Sequence, residues 1–442
     1  MRSLFFFAAL LLLVPLTLAD GPGDNVADNV RAVPPVGIEL NESDRNELDG
    51  GLAELNAKIE LLRKSKDLRV QSLMPDVEIF SRAIRDAIAH RELFHKNDIG
   101  KARQVLAEGH ARADSLKNGN APWTTQTGLV VRGFASRIDD TVQPYGVVVP
   151  ESYEFSGASE YRTDVWLHGR GERSTESLFI HERINRIGQI SPANTLVVHP
   201  YGRYSNAFKF AGEIDVLEAL DHAKSQYRVD ENRISIRGFS MGGAGCWQFA
   251  VHYPSQFFAA TPGAGFSETP EFLKSFQGET LMPTWYEQKL WQLYDCTGYT
   301  ANLFNIPIIA YSGELDIQKQ AADIMEQAMG DQGLKLTHLI GPQTKHAIHP
   351  DSLKTIESKL ANLAALGRDR TPMTIDFTTY TLRYNRSFWL TVNELAEHWE
   401  RATVSATLSA PENTIRLTLD GVRGLQLDLA AGDAPFNLRQ PV

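Results

Sequence analysis

Arg233-Ile234-Ser235-Ile236-Arg237-Gly238-Phe239-Ser240-Met241-Gly242-Gly243 is the stretch that decides the architecture. A short apolar run, read as a strand, enters a Gly-x-Ser-x-Gly turn, and a helix-compatible stretch to His252 starts at once. That order describes a nucleophile elbow. The serine sits on a sharp, strained turn, and flanking side chains would collide with the neighbouring strand and helix. A hydroxyl held there projects from the sheet. The N-terminus of the following helix lends positive potential to an oxyanion forming beside it.

A serine hydroxyl is a weak nucleophile, so it needs a base, and the base needs an acid to orient it. In elbows of this kind both follow the serine in the chain. The run Ile306–Tyr311 reads as a strand, and Ser312-Gly313-Glu314-Leu315-Asp316 follows it. Asp316 is the expected acid. Glu314, nearer the strand end, is its rival and is expected to point to the other side. Leu334–Ile340 reads as one more strand, and His346 and His349 both fall in the loop after it. His346 follows the Gly-Pro turn more closely and is the expected base, with His338 left as a strand residue. A metal reading of His346, His349 and Asp351 lacks any HExxH pattern, so neither metal nor organic cofactor is expected. For the oxyanion, Met241 supplies one backbone N–H. Trp166-Leu167-His168-Gly169-Arg170-Gly171, a Gly-rich loop after a strand, is the natural source of the second, with Arg170 as the expected donor.

Around these motifs, short apolar runs alternate with helical spacing from about residue 121 to 368. Gly128–Phe134, Gln143–Val149, Val165–Leu167, Thr195–Val198 and Arg233–Ile236 read as strands. Gly212–Tyr227 and Gly242–His252 read as helices. Such alternation predicts an α/β sheet with parallel inner strands and its chemistry at their carboxyl ends. Residues 41–120 read as a helical segment. Leu48, Leu52, Leu55, Ile59 and Leu62 share one face, a second helix follows Pro75, and a third runs from about Asp98 to Leu116. Residues 369–442 alternate apolar and polar residues over Phe377–Tyr384, Phe388–Val392, Thr403–Leu408 and Thr414–Leu419, a small all-β appendage. Residues 20–40 read as a linker. Residues 1–19, with Arg2 before an apolar run that ends in Thr17-Leu18-Ala19, read as a cleaved signal peptide. The chain is therefore expected to be secreted or periplasmic, with no stable membrane span after cleavage.

Composition sets the outer limits. The 442 residues carry 44 Lys+Arg against 54 Asp+Glu, a net charge of −10, which excludes generic nucleic-acid binding. The 2 cysteines exclude an all-cysteine metal centre. In an oxidising compartment Cys246 and Cys296 could pair or could stay as buried thiols. Glu213 and Asp215 open a helix and read as partners of its dipole rather than as a catalytic pair. Trp285, Tyr286, Trp291 and Tyr299 cluster between elbow and acid, as core or as a substrate-facing insertion.

Several of these motifs together resemble an α/β-hydrolase of the prolyl oligopeptidase-like, esterase-D-like group. They are Leu167-His168-Gly169, Val229-Asp230, Gly238–Gly243, Tyr253-Pro254, and Gly313–Asp316 followed by His346, within about residues 125–365. Ser136–Asp139 with Gln143-Pro144-Tyr145, and Asn206–Glu213, resemble secreted bacterial serine peptidases of the prolyl oligopeptidase family. The resemblance implies Ser240 as nucleophile, Asp316 as orienting acid and His346 as base. It departs from that family in placing a helical segment, with no visible blade repeat, before the catalytic domain. A Ser-Met-Gly-Gly elbow is also similar to that of secreted feruloyl and acetyl esterases. The expected substrate is a small peptide or an ester. A carboxylesterase acting on decorated polysaccharide is the first alternative, and a non-catalytic binding protein that retains the fold is the second.

Overall fold

The computed structural model describes residues 32–278, 280–437 and 439–442. The expected signal peptide and residues 20–31 of the linker lie outside them. Among the described residues, no helix is long and apolar enough to cross a membrane.

Four helices come first: α1 (Glu42–Arg63), α2 (Leu68–Ser72), α3 (Pro75–Ala89) and α4 (Lys96–Lys117). Asn41 caps α1 by accepting the Asp44 N–H at 2.8 Å. Pro75 opens α3, where its missing N–H leaves no ladder bond unmade. Asp98 accepts from the Phe94 and His95 N–H groups, both at 2.9 Å, at the start of α4. Leu48, Leu55, Ile59 and Leu62 are buried as their spacing predicts, whereas Leu52 is only partly covered. The five-residue α2 is too short to show a periodicity.

The next unit alternates β1 (Gly128–Ala135), β2 (Val142–Val149), β3 (Tyr161–Leu167), α5 (Glu176–Asn185), β4 (Thr195–Pro200), α6 (Ala211–Gln226), β5 (Val229–Phe239) and α7 (Met241–His252). It continues with β6 (Ala259–Gly263), α8 (Thr269–Phe272), α9 (Trp285–Trp291), β7 (Ile309–Gly313), α10 (Lys319–Asp331), β8 (Thr337–Gly341) and α11 (Pro350–Leu366). The eight strands form one sheet in the order β1-β2-β4-β3-β5-β6-β7-β8. β1 and β2 form an antiparallel hairpin and β2 runs antiparallel to β4, while every pair from β4 to β8 is parallel. This is the α/β sheet with parallel inner strands that the strand–helix alternation predicts. β5 sits at its centre, so the turn after it opens in the middle of the carboxyl edge.

The helical segment and the sheet share one core, in which Leu55, Val77 and Phe80 are continuous with Val130, Val165, Ile236 and Phe249. A buried ion pair lies between them: the Arg132 Nε of β1 is 3.0 Å from Asp76 of α3. The same carboxylate accepts from Trp123 Nε1 at 2.9 Å and from the Gly133 N–H at 2.8 Å.

The C-terminal strands are β9 (Thr374–Thr379), β10 (Arg386–Ser387), β11 (Leu390–Leu395), β12 (Ala402–Ser409), β13 (Thr414–Asp420) and β14 (Val422–Leu427). They make two small antiparallel sheets, β13-β12-β9 and β10-β11-β14, around their own core of Ile375, Phe377, Trp389, Val392, Val404 and Leu408. The expected strand Phe377–Tyr384 stops at Thr379. There the Thr379 hydroxyl donates to the Thr381 carbonyl at 2.8 Å, and a 3-10 turn over Leu382–Tyr384 follows.

Candidate active site

Ser240 stands between β5 and α7 with φ 59° and ψ −125°, a backbone conformation that a non-glycine residue adopts only when its surroundings enforce it. The enforcement is steric. A Cβ on Gly242 would lie 1.9 Å from the Leu167 carbonyl oxygen, so only glycine lets the start of α7 pass the end of β3 this closely. The Ser240 N–H donates to the Gly263 carbonyl at 2.8 Å, which ties the turn to β6 as well.

His346 reaches this serine from the loop after β8. Its Nε2 lies 2.8 Å from Ser240 Oγ, and its Nδ1 lies 2.8 Å from Asp316 Oδ2, in the loop after β7. Asp316 is almost fully buried, and its other oxygen accepts from the Gln318 N–H at 3.0 Å. The Phe239 ring packs against the imidazole with centroids 4.8 Å apart.

The rivals occupy other posts. His349 is the N-cap of α11, where its ring accepts from the Asp351 N–H. The Glu314 carboxylate accepts from the backbone N–H of Gln343 at 2.7 Å and from its side chain at 2.9 Å, bracing the histidine loop from outside. His338 Nε2 lies 3.0 Å from Ser312 Oγ within the sheet. The ligand atoms of Asp323, Glu326 and His338 lie within 4.8 Å of one another, away from the serine, and Lys319 already pairs with Asp323.

Three positioning residues escaped the sequence reading. A Cβ on Gly313 would meet the Lys345 and Thr344 carbonyl oxygens at 2.3 and 2.4 Å, so the glycine lets the His346 loop lie against the end of β7. Tyr311 donates its hydroxyl to the Ala347 carbonyl at 2.9 Å and accepts from the His349 N–H at 2.8 Å. Lys209 is buried under the segment between β6 and β7, donating to Gln248 Oε1 and to the Tyr294 carbonyl, each at 2.9 Å. Burial pushes its ammonium below the usual lysine range. No local signal marks Tyr311, and Gly313 is singled out only as part of Gly313–Asp316, without this role. The third lies in Asn206–Glu213, a segment singled out without a role.

Of the expected oxyanion donors, Met241 is the first residue of α7. Arg170 extends its side chain outward to Glu172. Gly169, beside it, faces the elbow, since a Cβ there would lie 3.7 Å from the Ser240 Cβ.

Residues 209–364 match the family model described as the prolyl oligopeptidase family. This is a serine hydrolase of the α/β-hydrolase fold, similar over that stretch to the prolyl oligopeptidase family. Solved structures similar to this hydrolase include a Bacteroides ovatus protein assigned as a dipeptidyl aminopeptidase IV. It is 14% identical with a TM-score of 0.42, over 54% of this chain and 36% of that one. A fluorophosphonate-binding serine hydrolase of Staphylococcus aureus is 15% identical with a TM-score of 0.41, over 54% of this chain and 99% of its own. A ferulic acid esterase is 17% identical with a TM-score of 0.40, over 55% and 99%. No curated protein matches the chain in sequence.

The remaining residues of interest in the hydrolase separate by environment. Cys246 and Cys296 are both buried free thiols rather than a bonded pair. Glu213 and Asp215 diverge. Asp215 pairs with Arg203 at 2.9 Å, whereas Glu213 accepts from Tyr253, Arg383, Tyr384 and Gln248. Tyr299 is core, whereas Trp285 and Tyr286 on α9 are largely exposed.

Proposed function

We propose that this chain is an exported serine hydrolase that cleaves a peptide or ester bond through an acyl-enzyme on Ser240. The observation that carries the reading is the continuous hydrogen-bond chain from Ser240 through His346 to Asp316, 2.8 Å at each step. An ionised carboxylate only accepts, so Asp316 holds the proton on Nδ1 and leaves the Nε2 lone pair facing the serine hydroxyl. As Oγ attacks a carbonyl carbon, its proton passes to Nε2, and Asp316 stabilises the imidazolium. The N–H groups of Met241 and Arg170 donate to the oxyanion. Collapse of the adduct breaks the bond to the leaving group, which takes the proton from Nε2. Water then attacks the acyl-enzyme with His346 again as base, releasing the acid and restoring the serine. Export rests on Arg2 and the apolar run from Leu4 to Ala19.

The His346 side chain is 40% exposed. A triad this open admits a bond within a large molecule, and a carboxylesterase on decorated polysaccharide is the second reading. A fluorophosphonate probe is expected to label Ser240 in the folded protein and to leave Ser240→Ala unlabelled. Turnover of p-nitrophenyl acetate beside a Pro-linked chromogenic peptide separates ester from peptide specificity. Ser240→Ala should lower either rate by about 10⁴-fold or more, while His349→Ala keeps most of it. Absence of labelling in folded wild-type protein sinks the reading.

A further inference from the structure

We propose that the cavity beyond Gly169 binds an anionic group, a carboxylate, on the acyl part of the substrate. The proposal rests on Ser240 being the nucleophile. The cavity holds about 400 Å³ between the loop after β3, α5 and Lys101 of α4. Gly169 belongs to both places, since it lines the cavity and a Cβ on it would lie 3.7 Å from the Ser240 Cβ.

Its lining is cationic. Lys101, Arg173, Arg183 and Arg186 face one acid, Glu182. Glu182 accepts from Arg183 Nη2, Lys101 pairs with Asp98 of its own helix, and Arg173 Nη1 lies 2.7 Å from His95 Nε2. Arg186 is exposed and pairs with no acid among the described residues.

Two buried nitrogens on this lining also lack partners. Arg183 is 7% and His199 4% exposed, yet Arg183 Nε and His199 Nε2 make no hydrogen bond. They converge: a Cβ on Gly188 would lie 3.0 Å from both Arg183 Nη1 and His199 Cε1. Buried donors are ordinarily satisfied, and a guanidinium more strictly than most. Burial disfavours the charged form of Arg183 and keeps His199 neutral, so the ring can still donate one N–H. A carboxylate in the cavity would balance the cationic charge that this lining leaves without an acid.

The order of strands says which part of the substrate carries it. Asp316 and His346 follow β7 and β8, on one side of β5, while β3 and β4 lie on the other. The leaving group must take its proton from His346 and so departs on the β8 side. The acyl part then extends past Gly169 towards β4.

The test uses the full chain and 4-nitrophenyl half-esters of adipic and suberic acid, each against the neutral hexanoate or octanoate. The charged ester should be favoured in kcat/KM by about tenfold or more at low ionic strength. Arg183→Met and Arg186→Gln should erase most of that preference while leaving the neutral esters within about twofold. Arg186 is exposed, so its variant keeps the test open if Arg183→Met fails to fold. Equal rates on charged and neutral esters in wild type overturn the proposal, as does a preference that neither variant moves. So does a preference for 4-acetoxybenzoate over phenyl acetate with none among the acyl pairs, because that puts the anion on the leaving group. Loss of neutral-ester turnover and of fluorophosphonate labelling in wild type would instead mark failure of the Ser240 reading.

Discussion

The helical segment and the C-terminal strands flank the same sheet but are joined to it by different means. The helices contribute Leu55, Val77 and Phe80 to the core that also contains Ile236 below the elbow, and they bury the Asp76–Arg132 pair against β1. The strands close a core of their own and meet the hydrolase through hydrogen bonds and a few aromatic contacts, Tyr380 against Tyr299 and Tyr384 on His252. Asn302 donates to the Val251 and Thr378 carbonyls at 2.8 and 3.0 Å, and Glu213 gathers Arg383 and Tyr384 at 2.9 and 2.7 Å. A region that shares the core is part of the folding unit, whereas a region that brings its own core is an attachment. The helices also reach towards the chemistry, since Lys101 lines the cavity beside Gly169.

The largest effect that can break this contrast is deletion. Removing residues 32–120 should leave no soluble folded hydrolase, while ending the chain after residue 371 should leave a folded domain of reduced stability, read by circular dichroism and melting. If the shorter N-terminal form folds and labels with fluorophosphonate, the shared core is not required. At single-residue scale, Asp76→Ala leaves Arg132 charged and buried without its partner and also deprives Trp123 and the Gly133 N–H of an acceptor. The expected loss in chemical denaturation is about 3–5 kcal/mol.

A smaller, pH-dependent effect tests the same junction from α5. Arg82 of α3 donates to Glu176 Oε2 at 2.9 Å, but desolvation outweighs this pairing and pushes the Glu176 carboxyl up to about 8. The folded chain therefore holds a proton that the unfolded chain releases above its ordinary 4.5, and stability falls as pH rises through that window. The slope should not exceed about 1.4 kcal/mol per pH unit. Glu176→Gln, neutral throughout, should flatten it in urea titrations between pH 5 and 8. An unchanged slope would remove Glu176 from the account.

The elbow was legible because all its determinants lie within eleven consecutive residues, Arg233 to Gly243. Asp316 and His346 could be proposed from chain order after two strands, and the structure brings both to Ser240. Their rivals separate only in three dimensions, where His349 caps α11 and Glu314 holds Gln343. Tyr311 and Gly313 act through contacts more than thirty residues along the chain, which no local pattern records. The cavity is less legible still, for Lys101, Arg183 and His199 come from three separate elements and meet only when α5 packs on the sheet. The C-terminal strands showed their alternation but not their ends, because the stop at Thr379 depends on its hydroxyl bonding forward to Thr381.

That stop leads to the smallest and most discriminating prediction. The turn it starts carries Tyr384 to Glu213, where its hydroxyl donates to Oε2 at 2.7 Å and accepts from Gln248 Nε2 at 3.0 Å. Tyr384→Phe removes both bonds and leaves one buried N–H of the Gln248 amide without its acceptor. Gln248 still donates to Glu213 at 2.9 Å, and the carboxylate keeps Tyr253 and Arg383. The ring also keeps its stacking on His252, with centroids 3.6 Å apart. The loss should be about 1–3 kcal/mol, with ester turnover unchanged. If it instead matches that of Asp76→Ala, the polar hub is as integral as the shared core, and the two regions are held to the hydrolase on equal terms.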